Sequence, residues 1–246
     1  MIAATRAVEI REAMPASEPR RQKEFGKTVA ADIAYRLREE IVCCRLQPGE
    51  PLRFDALRQR FGASFTALRE ALTALTGEGL VVAVEQRGFR VALVSRRDLL
   101  EVADARVLIE VELLRRSIEK GGDDWEIALI STLHRLHRIE ERSAVNPLDD
   151  PEWRIAHRQF HEALLSAGES ETLLSIRAAL FERAERYRHL WVKVRPFARK
   201  GGQHQAMMRA AIARNAELAL HLIERHIRET AENAIAHAGQ LMGDEV

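Results

Sequence analysis

The sequence predicts a mainly α-helical chain, in which a small domain of three helices and a β-hairpin precedes an all-α helical bundle. Apolar residues recur at helical spacing along most of the 246 residues, and two short β-rich runs lie on either side of position 86. Hydrophobic residues make up 46% of the chain, which is enough for a sizeable core. We predict a mobile polar arm at residues 1–26, the small domain at 27–95 and the bundle at 96–246.

Composition indicates a cytoplasmic protein without a membrane span. No apolar run approaches the roughly 18 residues that a span requires, and the N-terminal stretch has acidic residues but no apolar block, unlike a secretory signal. The two cysteines, Cys43 and Cys44, are adjacent, so a disulfide between them cannot link distant parts of the chain. We predict a reducing compartment and two ordinary helix residues without a redox role.

Charge is divided unevenly along the chain, although the net charge is only +1. Residues 20–98 hold 15 Lys/Arg against 10 Asp/Glu, whereas residues 99–246 hold 21 against 24. A basic front half and a mildly acidic rear half predict an anionic partner for the front half alone.

The front half contains signals for three helices and a hairpin. A repeat of four predicts the first helix, at Val29, Ile33, Leu37 and Ile41, and Pro48-Gly49 follows it. The second helix, about Asp55 to Phe61, ends at Gly62. Ser64 is placed to cap a third helix, whose buried side is Leu68, Ala71, Leu72 and Leu75. The runs GLVVAVE and GFRVALV, joined by Gln86-Arg87-Gly88, predict the hairpin.

Three helices and a hairpin in this order are typical of a winged helix-turn-helix, whose third helix enters the DNA major groove. The residues predicted to contact DNA lie early in the third helix, at the hairpin tip or just before the second helix: Ser64, Phe65, Thr66, Arg69, Arg87 and Arg53. Arg69 is the strongest candidate because a guanidinium can grip guanine or phosphate with two hydrogen bonds. The alternative is a helical domain used for protein contacts, with Arg69 simply solvated.

The rear half has amphipathic patterns for six helices, which together predict an all-α bundle. Their approximate ranges are 99–121, 123–143, 151–168, 171–194, 203–215 and 216–239. Gly168 is expected to stop the third of them, and the last two divide near Asn215.

All nine histidines lie in this rear half. In WRIAHRQFH, His157 and His161 are four residues apart and therefore point from the same helical face. His204 and His226 fall on the inward sides of later helices, so these four side chains can converge. Spacing alone leaves metal ligation and ordinary core or surface histidines both open. Charged neighbours predict that the other five are solvated, namely His134, His137, His189, His221 and His237.

The front half resembles the DNA-binding domain of the GntR family of bacterial transcription regulators, from about Lys27 to Val94. The residues that carry the resemblance are LQPGEPLRFDALRQRFGASFTALREALTALTGEGLV and the following GFRV. The resemblance implies binding to double-stranded operator DNA. Phe65 stands where the family usually has Arg, and Ala67 where Pro is common, so we expect a different operator sequence or affinity. Phe65 is suited to contact a thymine methyl group instead.

The rear half is similar to the FCD effector domain of the FadR branch of this family. The matching segments are ADARVLIE, FHEALLSAGESETL, ERYRHL and QHQAMMRAAIARNAELALHLIERHIRET. The resemblance implies a divalent metal held by His161, His204 and His226 and by a fourth ligand, usually a carboxylate, at the position of His157. An all-imidazole set suits zinc or nickel better than magnesium or manganese, which prefer oxygen ligands.

The same resemblance implies a small organic acid as effector. Arg106 matches a characteristic Arg of these domains and is our first choice for a carboxylate clamp, followed by Arg158, Tyr187 and Arg188. The alternative for Arg106 is a structural ion pair with a carboxylate of the bundle. The RYR and GGQHQ segments are similar to a sub-branch that regulates the use of small dicarboxylic acids such as glutarate.

These observations predict a ligand-responsive transcription regulator, a repressor released by its ligand, that binds a palindromic operator as a homodimer. One alternative is a DNA-binding regulator without an effector, whose histidines are structural. The other is a helical zinc hydrolase, because HRQFH has the H-x-x-x-H spacing of zinc proteases. In those enzymes a glutamate follows the first histidine as general base, and here that position holds Arg158. We therefore predict that the chain is not an enzyme.

Overall fold

The computed structural model describes residues 28–142, 150–192 and 201–238. Most of these residues are helical, and one small antiparallel sheet lies among them. The predicted fold class is therefore confirmed. The predicted arm at residues 1–26 lies outside the described residues.

The front domain is built from three helices and three short strands. They are α1 (Val29–Val42), β1 (Pro51–Leu52), α2 (Phe54–Phe61), α3 (Phe65–Gly77), β2 (Val81–Val84) and β3 (Gly88–Val91). The helices begin and end within a few residues of the predicted positions. The predicted stripe of α3 and residues Ile33, Leu37 and Ile41 of the predicted α1 stripe are buried in one core. Val29, the first residue of the predicted α1 stripe, is exposed, so that part of the prediction was wrong.

The connection between α2 and α3 is a tight turn. Gly62 has a left-handed backbone, φ 63°, which glycine adopts without the steric cost of a Cβ. Two residues later the Ser64 hydroxyl accepts a hydrogen bond from the Ala67 backbone N–H at 3.2 Å. The turn and this cap set the direction of α3, so that its first residues face solvent while Leu68 faces the core.

The sheet contains one strand that the sequence did not predict. Its order is β1-β3-β2, and Leu52 of β1 pairs with Phe89 of β3. The β2–β3 hairpin was predicted, and its tip has a left-handed residue at Gln86, φ 57°. At two residues, β1 is too short to show the alternation that marks a strand.

The prediction that both cysteines are helix residues was wrong. Cys43 forms the C-cap of α1, and Cys44 follows it with a left-handed backbone, φ 51°. Both thiols are free. The Cys44 side chain is buried and its Sγ lies 3.7 Å from the carbonyl oxygen of Arg186 in the rear domain.

The rear domain is a bundle of six described helices. They are α4 (Arg96–Lys120), α5 (Asp123–Arg142), α6 (Pro151–Leu165), α7 (Glu171–Val192), α8 (Gly201–Ile212) and α9 (Ala216–Ala238). The first begins three residues earlier than predicted because the Ser95 side chain caps it, accepting from the Asp98 N–H at 3.0 Å. None of the described helices is long and apolar enough to cross a membrane.

Packing within the bundle places α4 against α7 and α9, and α5 against α6. The Trp125 indole N–H of α5 donates to the Ala163 carbonyl of α6 at 2.9 Å. Gly168, in a 3-10 turn after α6, approaches α4 so closely that a Cβ would lie 2.9 Å from the carbonyl oxygen of Leu113. The predicted stop at Gly168 therefore also serves close packing.

The C-terminal part of α7 forms hydrogen bonds with residues 92–98, the segment between the two domains. Arg186 donates to the carbonyl oxygens of Ala92 and Leu93 at 3.1 and 2.9 Å. The Tyr187 hydroxyl donates to the Asp98 carboxylate and accepts from the Ser95 N–H. Burial, followed by the Asp98 hydrogen bond, raises the pKa of Tyr187, so its hydroxyl stays protonated as the donor.

Candidate metal centre and nucleic-acid interface

Four buried histidines converge inside the bundle. His157 and His161 come from α6, His204 from α8 and His226 from α9. One ring nitrogen of each lies within 4.8 Å of one ring nitrogen of every other. The Nε2 atoms of His157 and His161 are 3.2 Å apart. The structure thus brings together the four residues that the sequence singled out.

The dimensions and the donor chemistry fit a tetrahedral transition-metal ion. Two nitrogens on a tetrahedral zinc with bonds of about 2.0–2.1 Å are about 3.3 Å apart, close to the His157–His161 distance. The other pairs of ring nitrogens, which are up to 4.8 Å apart, would have to move closer together to bind one ion. Within the described part of the chain, His161 Nδ1 is buried and has no hydrogen-bond partner.

The environment favours neutral imidazoles, which is the form that binds a metal. Burial, and then the positive charge of Arg188, holds the pKa of His157 well below its usual value. Burial also lowers the pKa of His161, with a further contribution from His226. His157 and His161 are therefore held in the neutral form without any bound ion.

Side chains next to the cluster orient its rings. His226 Nδ1 lies 3.1 Å from Gln203 Oε1, and the Gln203 amide donates to Glu229 at 2.6 Å. Because the Gln203 amide oxygen can only accept, Nδ1 is the protonated nitrogen of His226 and Nε2 keeps its lone pair. The indole of Trp153 stacks on His157, with centroids 4.6 Å apart. Sequence reasoning did not predict Gln203, although it immediately precedes His204.

The histidines lie beside a group of buried charges on α4 and α7, defined here as the charged wall: Arg106, Glu110, Arg177, Glu185 and Arg188. Arg106 Nε donates to Glu110 at 2.7 Å, and Arg188 pairs with Glu185 at 2.9 Å. Arg188 also reaches the His157 ring at 3.2 Å. Three cations face two carboxylates, so the charged wall has an excess positive charge in a region of low dielectric. Such a site favours an anionic ligand.

Three of the four predicted effector residues line one cavity. Arg106, Tyr187 and Arg188 meet there, and the space, about 10 Å³, holds roughly one water molecule. Arg106 also forms an ion pair with Glu110, and such a structural ion pair was the alternative prediction for this residue. Arg158 lies elsewhere, and its guanidinium pairs with Glu182 at 2.7 Å.

Among the remaining histidines, the prediction for His189 was wrong. His134 and His221 are exposed, and His137 and His237 are partly exposed. His189 is buried. Its helix, α7, contacts α1, α4 and α9, so charged neighbours along this helix do not indicate exposure.

The residues predicted to contact DNA are grouped on the front domain, and all are exposed: Arg53, Ser64, Phe65, Thr66, Arg69 and Arg87. Phe65, 48% exposed, stacks on Phe54 with centroids 4.3 Å apart. Phe54 in turn meets the edge of Phe89 on β3 at 6.1 Å. We call these three rings the aromatic row; it joins the start of α3 to the hairpin.

Comparison with known proteins agrees with this geometry. The family model for bacterial regulatory proteins of the gntR family matches residues 29–91, and the FCD domain model matches residues 101–229. The HTH-type transcriptional repressor GlaR of Escherichia coli (strain K12) is 36% identical over 206 residues, which cover 81% of this chain and 93% of GlaR. The chain belongs to the gntR family. It is a DNA-binding transcriptional regulator with an FCD domain, and not an enzyme.

Other gntR relatives are similar over comparable lengths. The HTH-type transcriptional regulator BphR of Paraburkholderia xenovorans (strain LB400) is 36% identical over 197 residues, 79% of this chain and 80% of BphR. Among solved structures, E. coli McbR/YncC superposes with a TM-score of 0.70 at 21% identity, covering 87% of this chain and 98% of that one. A GntR regulator from Rhodococcus sp. RHA1 has a TM-score of 0.68 at 20% identity, covering 84% and 97%. These two structures support the fold.

Proposed function

We propose that this regulator is a cytoplasmic, homodimeric repressor that binds a divalent metal through its four clustered histidines and senses a small organic acid beside that metal. The observation that carries the proposal is the convergence of four buried imidazoles in an FCD domain. The name of GlaR, a transcriptional repressor, supports the direction of regulation.

His157, His161, His204 and His226 would hold the ion. Four imidazoles suit zinc or nickel, whereas magnesium and manganese prefer oxygen ligands. A fifth position on the ion, beyond the four imidazoles, would supply a Lewis-acidic contact for a carboxylate oxygen. The hydrolase alternative lacks its general base, because Arg158 follows His157 and its guanidinium is paired with Glu182.

An organic acid is the effector class that suits the charges. The charged wall is already one positive charge in excess, and a divalent ion would add two more, so a carboxylate ligand reduces a large buried charge. Arg106, Tyr187 and Arg188 are the candidates that contact it from their shared cavity. Because the cavity holds roughly one water molecule, effector binding requires neighbouring side chains to move.

The front domain would read the operator through α3. Arg69 and Thr66 are exposed on the first turns of this helix, and Phe65 and Arg87 extend the same face to the hairpin. Arg53 and Ser64, which is the N-cap of α3, would contact backbone phosphates. A two-fold dimer presents two such helices to the half-sites of a palindrome.

Helix α6 offers a route from the metal site to the DNA-binding domain. Arg154 and Arg158 each stand three residues before His157 and His161, so all four side chains lie at neighbouring positions on one side of this helix. Arg154 pairs with Glu39 of α1 at 2.8 Å, and Arg158 approaches the same carboxylate at 3.6 Å. Arg154 also donates to Cys43 Sγ at 2.7 Å, so a displacement of α6 on ligand binding would reach the end of α1 through both Glu39 and Cys43.

We expect Glu39→Gln to reduce the coupling between ligand and DNA. The change in operator affinity on adding zinc and glutarate should shrink by about 0.5–2 kcal/mol, the usual effect of a residue on the coupling path. Fluorescence anisotropy with labelled operator, with and without the ligands, measures it. Glu40→Gln is the matched control, because Glu40 pairs with Arg45 and Arg60 inside the front domain. Equal coupling in the two variants would argue against this route.

Zinc titration tests the metal site itself. At ten times its dissociation constant, an ion that binds only the folded state adds about 1.4 kcal/mol. For a chain of this size we expect the melting temperature of metal-free protein to rise by about 3–5 °C. Unchanged melting with both zinc and nickel would favour the alternative of structural histidines and a regulator without this sensor.

A further inference from the structure

A groove between the two domains is separate from the small cavity that Arg106, Tyr187 and Arg188 line. It has a volume of about 740 Å³, within the range of about 300–1,000 Å³ that is usual for small-molecule sites. One wall is formed by Arg38 of α1 and by residues 76–79 at the end of α3. The opposite wall is formed by residues 175–183 of α7, and Arg158 also lines the groove.

Three arginines of the groove have buried nitrogen atoms without hydrogen-bond partners among the described residues. These atoms are Arg158 Nε, Arg177 Nη2 and Arg183 Nε. A buried donor that lacks a partner destabilises the folded protein, and a charged donor does so more strongly. The groove also carries Glu162 and the ion-paired Glu78 and Glu182, and Glu182 Oε2 is a buried acceptor without a partner among the described residues. The unpartnered donors outnumber this acceptor, which indicates a binding site for a further acceptor.

Arg177 is the most deeply placed of the three, with only 2% of its surface exposed. Its Nε lies 3.7 Å from Glu110 Oε1, which is too long for a hydrogen bond, while Arg106 already holds that oxygen at 2.7 Å. Its charge is therefore incompletely compensated. The guanidinium lies 4.3 Å from the ring centroid of Phe181, which also lines the groove.

We propose that this interdomain groove is a second ligand site, for a small anion with a carboxylate or phosphate group, and that Arg177 anchors the anionic group. Arg158 and Arg183 flank the anchor with their spare N–H groups. Arg177 belongs to the charged wall as well, so the groove shares this one residue with the surroundings of the metal site, but the groove site needs no metal and none of the four histidines. Because α1 and α3 form one wall, an occupied groove would also restrain the DNA-binding domain relative to α7.

Isothermal titration calorimetry of the full chain tests the proposal, after chelation of metals and at ionic strength matched with chloride. Succinate and inorganic phosphate are the probes, and they distinguish a carboxylate site from a phosphate site. We expect saturable binding of at least one probe to the wild type. Arg177→Met should weaken it by about tenfold or more, the usual effect of losing a charged hydrogen bond. Arg225→Met, which removes an exposed arginine of α9, should leave it unchanged.

A second variant keeps the proposal testable if Arg177→Met fails to fold. Ala178 is exposed and lines the groove, so Ala178→Trp fills the groove without entering the core, and it should also abolish binding. His204→Ala should retain it. The proposal is overturned if neither probe binds the wild type, if both groove variants bind normally, or if binding depends on His204, which would assign the anion to the metal site.

Discussion

His204→Ala should lower the affinity for zinc by at least about 100-fold. Loss of partners that only orient a ligand already costs about 10–100-fold, and this change removes a ligand itself from the cluster. The void lies between His157, His161 and Phe160, whose rings are about 5 Å from the His204 ring. Competition with a zinc indicator gives the affinity, and elemental analysis of the purified variant gives the metal content.

His221→Ala is the matched control, because His221 is exposed on α9 and lies outside the cluster. It should bind zinc as the wild type does. His204→Ala should still bind operator without metal, while its response to glutarate is blunted. Full zinc occupancy in His204→Ala would place the ion elsewhere.

Arg69→Ala should weaken operator binding by about 1–3 kcal/mol, the range for a lost bidentate contact to a base. This corresponds to about 5- to 150-fold in the dissociation constant. The Arg69 side chain is exposed on the first turns of α3, so its loss leaves the core of the front domain unchanged. Anisotropy titrations at one fixed salt concentration measure the effect, since salt alone changes such affinities strongly.

Arg138→Ala controls for the loss of one positive charge, because Arg138 is exposed on α5 in the rear domain. It should bind operator within about twofold of the wild type, as expected for a surface change away from the interface. Comparison of operator with scrambled duplex then assigns the contact: an equal loss on both indicates a phosphate, and a loss on operator alone indicates a base. Wild-type affinity in Arg69→Ala would exclude α3 as the reading helix.

The helices, the turn at Gly62 and the hairpin were predictable because their signals are local. A stripe of apolar residues, a capping serine and a glycine with positive φ each act within a few residues of their own position. Strand β1 was not predictable, since its two residues are a strand only through pairing with β3. The boundary of α4 depended on a cap from Ser95.

The histidine cluster was partly predictable. The spacing of His157 and His161 places them on one face, and the amphipathic patterns of later helices placed His204 and His226 on inward sides. The family resemblance then indicated that these histidines are metal ligands. Arg177 and the burial of His189 had no such signal, because both depend on how α7 packs between several helices. Amphipathic spacing identifies a helix that is buried on one face, whereas α7 is buried on more than one face.

The aromatic row has a consequence for how the preference for operator sequence diverges within this lineage. Phe65 stacks on Phe54, so a smaller or polar residue at position 65 would leave Phe54 without the ring that packs on it, although Phe54 would keep its contact with Phe89. An arginine at this position would lose that ring contact unless the start of α2 changed as well. New target sites are accordingly expected to evolve through linked substitutions in α2 and α3, rather than through single replacements in the reading helix.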